Sequence, residues 1–357
     1  MGHRRAAIVL VGTALAIVGC GSPSDDASPA PASTPATASP EASAVGTEPT
    51  PSVTATSGGS SPSPLIVYQW GAPCAQSAPG DGLCLVAEDG SNAQAILTDL
   101  GDLRDPDWSR DGGSIVFVRS DVPGQLWIAS AAGGDVHSVL ADTTRCRSEA
   151  RVPAWSPDGS RIAFMCLNDT QTEIAVAEVA TVAVTSVYVA SKGEEAWNPR
   201  WSPDGTQLVF ERDPNDGANV TGGEVVVIPA AGGDVTVVAP AAMFAGYPDW
   251  SPKSDLIVFD TYSISMFETG GPGATNLYTV APDGSQLKQL TTNELGGDRD
   301  SEPSFTPDGE RVIFTHTTPG GFGGDRGTRR AAFIQLDGTG LTVVNTVYAT
   351  HPRLQPG

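Results

Sequence analysis

Histidine is the side chain that most often carries acid–base chemistry near neutral pH, and this chain contains few of them. The four histidines are His3, His137, His316 and His351, and only His351 is expected on an innermost strand of the fold derived below. No G-x-S-x-G, H-E-x-x-H or P-loop pattern occurs in the sequence. We therefore expect a binding protein without catalytic residues. Chemistry by channel-lining carboxylates together with His351 is the alternative.

Cys20 has the most specific setting of any reactive residue. A basic start precedes an apolar run from Ala6 to Val18, which is too short to span a bilayer as a mature helix. Residues 1–19 therefore indicate a cleaved export signal. The segment Ile17-Val18-Gly19-Cys20 resembles a bacterial lipobox, in which the cysteine becomes the lipidated first residue. This resemblance implies lipid attachment at Cys20 and an extracytoplasmic protein anchored to the bacterial membrane.

The segment that follows has the composition of a spacer. Residues 21–64 are almost wholly Ser, Thr, Ala, Pro and Gly, with no Lys or Arg. Such a segment cannot bury enough apolar surface to offset its ordering entropy, so we predict a disordered tether over 20–64. The formal charge of the whole chain is −21, which argues against binding of nucleic acid or of anionic lipid headgroups. The predicted membrane contact is the lipid alone.

A repeated block decides the fold of residues 65–357. Pro106-Asp-Trp-Ser-Arg-Asp-Gly112 returns with a period of about 45 residues, and the later copies begin at Pro153, Pro199, Pro248 and Pro303. Each copy is followed by a strand-like run such as SIVFVRS or QLVFER, and then by a second such run. Four short strands per period are typical of a β-propeller blade. We assign the turn and aromatic residues of the block structural roles.

The number of blades follows from the two ends of the domain. The C-terminus overlays the block again at Pro352 and then stops, whereas unassigned strands occur at 65–70, 83–88 and 93–98. One C-terminal strand with three N-terminal strands would complete a sixth blade and leave no free sheet edge. We therefore predict an all-β, six-bladed β-propeller closed by its own termini, as a single domain and a monomer.

The P-x-W-S-P-D-G block followed by a V-F or A-F strand is similar to the repeat of TolB-like propellers, and the resemblance covers residues 65–357. It implies the fold more than an activity. TolB itself carries a separate α/β domain before its propeller, and this sequence has the tether in that place. Prolyl-oligopeptidase-type enzymes also contain such propellers as non-catalytic domains.

The remaining cysteines should be paired in an exported protein. Four cysteines allow three pairings, and blade topology favours Cys74 with Cys84 and Cys146 with Cys166. Both bridges would then lie on the same rim, where the connections between blades and the loops after each second strand emerge.

Two long insertions on neighbouring blades, 261–275 and 317–330, are expected on that rim. Loops that lengthen on a regular scaffold usually carry recognition. Phe267 and Phe322 are candidate apolar anchors, and Arg326, Arg329 and Arg330 form a tight basic group. We predict that these residues bind a protein or cell-envelope partner. Insertions without any ligand are the structural alternative.

A second candidate site is the mouth of the channel. The residue before each block proline should crown an innermost strand, and the candidates for ligand binding there are Asp105, Asn198, Tyr247, Glu302 and His351. Oxygen-rich groups nearby, including Asp298 and Asp300, would suit a hard cation such as Ca²⁺, although solvated acidic loops are the favoured explanation for them. We expect no cofactor and no resident metal. The alternative function is therefore binding of a small ligand or cation in the channel, with or without hydrolysis.

Overall fold

The computed structural model describes residues 64–69, 74, 82–121, 125–140, 146, 149–168, 171–214, 222–262, 274–319, 328–344 and 349–356. The predicted signal, Cys20 and almost all of the tether lie outside these residues. The described residues form 24 β-strands and two 3-10 helices, Thr98–Leu100 and Ala241–Met243. None of the described helices is long and apolar enough to cross a bilayer.

The strands group into blades of four in chain order. Blade 1 contains β4 (Leu103–Trp108), β5 (Ser114–Arg119), β6 (Leu126–Ser130) and β7 (His137–Ser138). Blade 2 contains β8 (Glu149–Trp155), β9 (Arg161–Asn168), β10 (Gln171–Glu178) and β11 (Val184–Val189). Blade 3 contains β12 (Glu195–Trp201), β13 (Gln207–Asp213), β14 (Glu224–Pro229) and β15 (Thr236–Ala239). Blade 4 contains β16 (Ala245–Trp250), β17 (Ile257–Tyr262), β18 (Thr275–Val280) and β19 (Lys288–Gln289). Blade 5 contains β20 (Arg299–Phe305), β21 (Arg311–Thr318), β22 (Thr328–Gln335) and β23 (Thr342–Val343). Blade 6 contains β24 (Thr350–Leu354), β1 (Leu65–Gln69), β2 (Leu83–Ala87) and β3 (Gln94–Ile96).

The predicted closure is confirmed, since β24 pairs antiparallel with β1 and provides the innermost strand of blade 6. Hydrogen bonding links blades 4 and 5 into one sheet, but only through a single parallel bridge between Thr275 and Arg299. The innermost strand of each blade contacts that of the next, and the cycle closes from β24 to β4. The described residues therefore form a six-bladed ring.

The core lies between the blades. Each of six buried hydrophobic clusters draws its residues from two adjacent blades, including the pair formed by blades 6 and 1. The second strand of each blade contributes one large aromatic residue that is almost fully buried: Tyr68, Phe117, Phe164, Phe210, Phe259 and Phe314. Burial of so much apolar surface between blades is the main stabilisation of the ring.

The repeated block forms the turn between the first and second strands. In blade 2, the Ser156 hydroxyl donates to Asp158 Oδ1 at 2.6 Å, and Asp158 accepts the backbone N–H of Ser160. These bonds lower the pKa of Asp158 to about 2. The same arrangement recurs at Ser109, Ser202 and Thr306, as expected for an aspartate that stabilises a tight turn.

The block aromatics pack between blades, as the sequence predicted. Trp108 is 5% exposed, and its indole N–H donates to the carbonyl oxygen of Arg353 in blade 6. In the same way, Trp201 donates to the carbonyl oxygen of Ala154 in blade 2. The block therefore joins each blade to its neighbour as well as forming a turn.

The cysteines are joined as Cys74–Cys84 and Cys146–Cys166, with Cα–Cα distances of 5.8 and 5.2 Å. This is the pairing that blade topology favoured. Cys84 lies at the beginning of a third strand and Cys166 near the end of a second strand. Both bridges are thus at the end of their blades opposite the block turns.

Candidate functional site

The two faces of the ring differ in what they present. We call the face that carries the block turns, such as 156–159 and 202–205, the turn face. The opposite face, where second strands end at Arg119, Asp213 and Thr318, is called the loop face. Of the predicted partner-binding residues, Phe267, Phe322 and Arg326 lie outside the described residues. Arg329 and Arg330 lie in β22 at the loop face.

The residues before the block prolines lie within the innermost strands, which corrects the prediction that they crown these strands. Asp105 is the third residue of β4 and Glu302 is the fourth of β20. All six have left-handed backbone conformations, with φ between 46° and 57°: Asp105, Val152, Asn198, Tyr247, Glu302 and His351. In blades 1 to 5, the pairing between the first and second strands shifts in register at this residue. An extra residue at a β-bulge explains why they face the channel partway along it.

Carboxylates from one blade satisfy the backbone of these left-handed residues in the next blade. Asp105 Oδ2 accepts the N–H of Val152 at 3.2 Å, and Glu302 Oε2 accepts the N–H of His351 at 2.8 Å. Asp260 Oδ2 accepts the N–H of Glu302 at 2.9 Å. Two of the predicted ligand-binding residues, Asp105 and Glu302, therefore hold adjacent blades together.

The sequence analysis did not identify Glu211 and Asp260, which serve the same purpose. Glu211 Oε2 accepts the Asn198 amide at 2.8 Å and the N–H of Tyr247 at 3.3 Å. Both acids directly follow the buried phenylalanine of their second strand, where two other copies of the repeat carry Val118 and Met165. An acidic residue at a position that is apolar in other copies of the repeat is therefore the sequence feature that could have identified these two residues.

The channel wall is rich in groups whose charge is suppressed. Asp260 is fully buried, and burial raises its pKa well above the ordinary value. Burial, followed by nearby carboxylates, also raises the pKa of Tyr247 and of Tyr262 well above the usual value. Burial also raises the pKa of Glu302, but the charge of His351 and the hydrogen bonds from His351 and Thr315 outweigh burial and lower this pKa overall. These are properties of a packed polar wall.

Acidic residues in this wall do not assemble into a metal centre. Among the described residues, no group of three or more His, Cys, Asp or Glu side chains is placed to hold a metal ion. Asp298 and Asp300 instead face His316, with Asp300 Oδ1 at 2.7 Å from Nδ1 and Asp298 Oδ2 at 3.7 Å from Nε2. The hydrogen bond with Asp300 raises the pKa of His316 above its usual value.

An arginine pair at the loop face is the arrangement that most favours binding. Arg299 in β20 and Arg329 in β22 both lie opposite Thr317 in β21, so their side chains share one face of blade 5. Neither arginine forms a close ion pair with a carboxylate among the residues that the structure describes, although the charge of Arg329 reaches Glu302 and helps to lower the pKa of that carboxyl. Burial and the charge of Arg329 lower the pKa of Arg299, which indicates two cations in proximity.

Other arginines at this face are neutralised. Four of them pair with carboxylates: Arg104 with Asp102, Arg119 with Asp121, Arg151 with Glu149, and Arg212 with Glu194 and Glu224. Arg330 lies opposite His316, one register position from Arg329 and thus on the other face of the blade. The structure therefore separates Arg329 from Arg330 and brings it together with Arg299, which the sequence analysis did not identify.

Comparisons with known proteins agree with this fold. No protein-family model and no curated protein sequence matches the chain. Among solved structures, it is similar to TolB from Acinetobacter baumannii, at 17% identity and a TM-score of 0.61 over 82% of this chain and 67% of that one. A structure assigned as TolB from Agrobacterium tumefaciens gives 18% identity and a TM-score of 0.57, covering 79% and 87% of the two chains.

The same fold also occurs in a structure described as an enzyme. Hydrazine synthase from Kuenenia stuttgartiensis matches with 12% identity and a TM-score of 0.60, over 82% of this chain and 46% of that one. At these identities the likeness concerns architecture alone, and architecture does not decide between binding and catalysis. The topology, the closure by both termini and these neighbours together show that the described residues between 64 and 356 fold as a six-bladed β-propeller that is similar in architecture to TolB.

Proposed function

We propose that this protein is a lipid-anchored extracytoplasmic β-propeller that docks a protein or cell-envelope partner on its loop face. The arginine pair Arg299 and Arg329 carries the proposal. It would bind an acidic group of the partner, a carboxylate or a phosphate. Guanidinium groups match both groups through paired N–H···O bonds, and such bonds are stronger than neutral ones.

Charge is the reason that this pair favours a partner. The chain has 41 acidic and 20 basic side chains, so an arginine can readily find an internal carboxylate. At the loop face, Arg104 and Arg151 each form an ion pair with a carboxylate. Arg299 and Arg329 instead repel each other and form no close ion pair with a described carboxylate, and the described counter-charge on which Arg329 acts is Glu302. An external acidic group would remove that repulsion. The overall negative charge of the chain would keep polyanionic surfaces away and leave a local acidic group as the favoured ligand.

The membrane location rests on the N-terminal sequence. The apolar run from Ala6 to Val18 and the lipobox-like end at Cys20 support export and lipidation. A single lipid chain gives weak anchoring, whereas several chains give stable anchoring. We expect the Cys20→Ser variant to move from the membrane fraction to the soluble fraction of lysed cells. Retention of this variant in the membrane fraction would contradict the anchor.

Binding of a small ligand or cation in the channel, with or without hydrolysis, is the alternative proposal. The candidates for it are Asn198, Tyr247 and His351 together with the bridging acids Asp105 and Glu302. A channel cation would raise the melting temperature of the wild type in millimolar Ca²⁺ relative to chelator. An unchanged melting temperature would remove the cation from consideration.

Photocrosslinking in intact cells tests the docking proposal. A photoreactive residue is placed at Thr328, beside Arg329 on the loop face, or at the exposed Lys253 on the turn face. We expect a reproducible adduct from position 328 and none from position 253, because only the first would lie against the partner. Equal adducts from both positions, or none from position 328, would contradict loop-face docking.

A further inference from the structure

The turn-face end of the channel carries a ring of six side chains, one from each blade. They are the residues that directly follow the block prolines: Asp107, Ala154, Arg200, Asp249, Ser304 and Arg353. Going round the ring, the order aspartate, small residue, arginine occurs twice. Arg353 thus lies beside Asp107, and Arg200 lies beside Asp249 on the opposite side of the channel.

This ring forms the floor of a cavity of about 150 Å³, which is room for about five water molecules. Its walls are apolar and come from all six blades. They include the block aromatics Trp108, Trp155, Trp201 and Trp250, together with prolines of the turns. A cavity with apolar walls and a few charged groups at its base has the usual composition of a small-molecule site.

The two arginines at the floor are buried and only partly bonded. Arg200 is 9% exposed and Arg353 is 7% exposed. Arg200 Nη1 donates to the carbonyl oxygens of Pro199 and Pro153, and Arg353 Nη1 donates to that of Pro352. A guanidinium has five N–H donors, so each arginine retains donors that no described residue accepts.

The neighbouring aspartates do not satisfy these donors. Their nearest approaches to an arginine Nε are 3.7 Å for Asp107 and 3.8 Å for Asp249, which are too long for hydrogen bonds. Asp107 Oδ2 accepts the N–H of Trp155, and Asp249 Oδ2 accepts the N–H of Phe305. Both aspartates thus serve to join blades.

Donors are therefore in excess at this cavity. Of its lining residues in the described chain, four have a buried polar atom without a hydrogen-bond partner, and every one is an N–H donor: Trp155 Nε1, Arg200 Nε, Trp250 Nε1 and Arg353 Nε. Buried donors are almost always satisfied in folded proteins, so a ligand here should bring acceptors. Burial, followed by the charge of Arg200, lowers the pKa of Arg353 to about 10, and an anion would relieve both effects.

We propose that the turn-face cavity binds a small carboxylate that carries an apolar or aromatic body. The carboxylate would lie between Arg200 and Arg353, since guanidinium groups bind carboxylates through paired hydrogen bonds. The apolar body would contact the tryptophan and proline walls. A cation is disfavoured because the ring's surplus groups are donors. This site is independent of loop-face docking, because the two lie at opposite ends of the channel.

Titration of the detergent-solubilised full chain with benzoate tests the proposal, with tryptophan fluorescence as the readout. Benzyl alcohol, which has the same ring and no charge, is the matched ligand control at constant ionic strength. We expect saturable binding of benzoate, at least roughly tenfold tighter than that of benzyl alcohol, the factor that about 1.4 kcal/mol represents. No saturable signal with benzoate, or equal binding of both compounds, would overturn the proposal.

Three variants locate the binding. Arg353→Gln removes one charge from the floor, and Arg200→Lys retains the charge but loses the planar fork. Arg110→Gln is the control, because Arg110 is an exposed arginine at the rim of the same cavity. We expect both floor variants to weaken benzoate binding about tenfold or more, and Arg110→Gln to leave it unchanged. Equal weakening by all three variants would assign the effect to general charge and overturn the site.

Discussion

The side chains that decide this structure are acids whose acceptor oxygens reach into the next blade. Asp260 is the most informative of them, because it is fully buried and its pKa is raised well above the ordinary value. Its Oδ2 accepts the N–H of Glu302, a residue in the left-handed conformation. Asp260 therefore acts as a buried hydrogen-bond acceptor whose charged form is disfavoured by burial.

This account predicts opposite results for two substitutions at position 260. Asp260→Ala should lower the free energy of unfolding by about 1–3 kcal/mol, because the buried N–H of Glu302 loses its acceptor. Asp260→Asn retains an acceptor and should be at least as stable as the wild type near neutral pH. Urea unfolding measures both. Equal destabilisation by the two substitutions would show that shape, rather than the accepted hydrogen bond, is what position 260 provides.

His316 provides a second test at the residue scale. Its pKa is raised in the folded protein by the hydrogen bond with Asp300, and Asp298 adds to this effect. The interaction of His316 with Asp300 therefore makes its full contribution to the free energy of unfolding below the ordinary histidine pKa of about 6.5. This contribution declines as the pH rises above that value. We expect the stability difference between wild type and His316→Gln to shrink from acidic to alkaline pH. A difference independent of pH would contradict this assignment.

At the scale of the element, the block turn has two functions. It reverses the chain between the first and second strands, and in blade 1 it also contacts the end of the chain. Gly112 and Gly159 occupy the same turn position, with φ of 66° and 72°. A Cβ at Gly159 would meet nothing within 4 Å, whereas one at Gly112 would lie 2.6 Å from the carbonyl oxygen of Pro356.

The two glycines form a matched pair for mutagenesis. Gly159→Ala should cost about 1 kcal/mol, from the left-handed conformation alone. Gly112→Ala should cost a further 1–3 kcal/mol or so, because backbone must move to relieve the clash. Urea unfolding of both variants gives the comparison. Equal costs would show that the contact between blade 1 and the C-terminus is not tight in solution.

At the scale of the whole molecule, the ring is held closed by the pairing of β24 with β1. Trp108 donates to the Arg353 carbonyl oxygen, and Gln355 donates to that of Gly112. Deletion of residues 350–357 would remove these contacts and expose the edge of β1. We expect loss of the single cooperative thermal transition and aggregation of the variant. Deletion of Gly357 alone is the control, and cooperative unfolding of the long deletion would contradict closure by β24.

How far the sequence predicts the molecule depends on which interactions repeat. The block recurs in order, and its last copy begins at Pro352. The fold, the number of blades and the closure of the ring by the C-terminal strand therefore follow from the sequence. Pairing across strands does not repeat visibly, and the proximity of Arg299 and Arg329 depends on the register of β20, β21 and β22. A bulge before each block proline changes that register by one residue. Arg329 and Arg330 are neighbours in the sequence, but successive residues of a strand face opposite sides of a sheet, so the structure places them on different faces of the blade.

The dependence of loop-face crosslinking on the arginine pair is the most direct test of the proposed function. The adduct from position 328 is compared among the wild type, the double variant Arg299→Gln with Arg329→Gln, and the control Arg104→Gln, whose arginine already pairs with Asp102 on the same face. We predict that the double variant loses roughly tenfold or more of the adduct, because charge-assisted hydrogen bonds are lost, while the control retains it. An undiminished adduct in the double variant would contradict recognition of the partner by this pair.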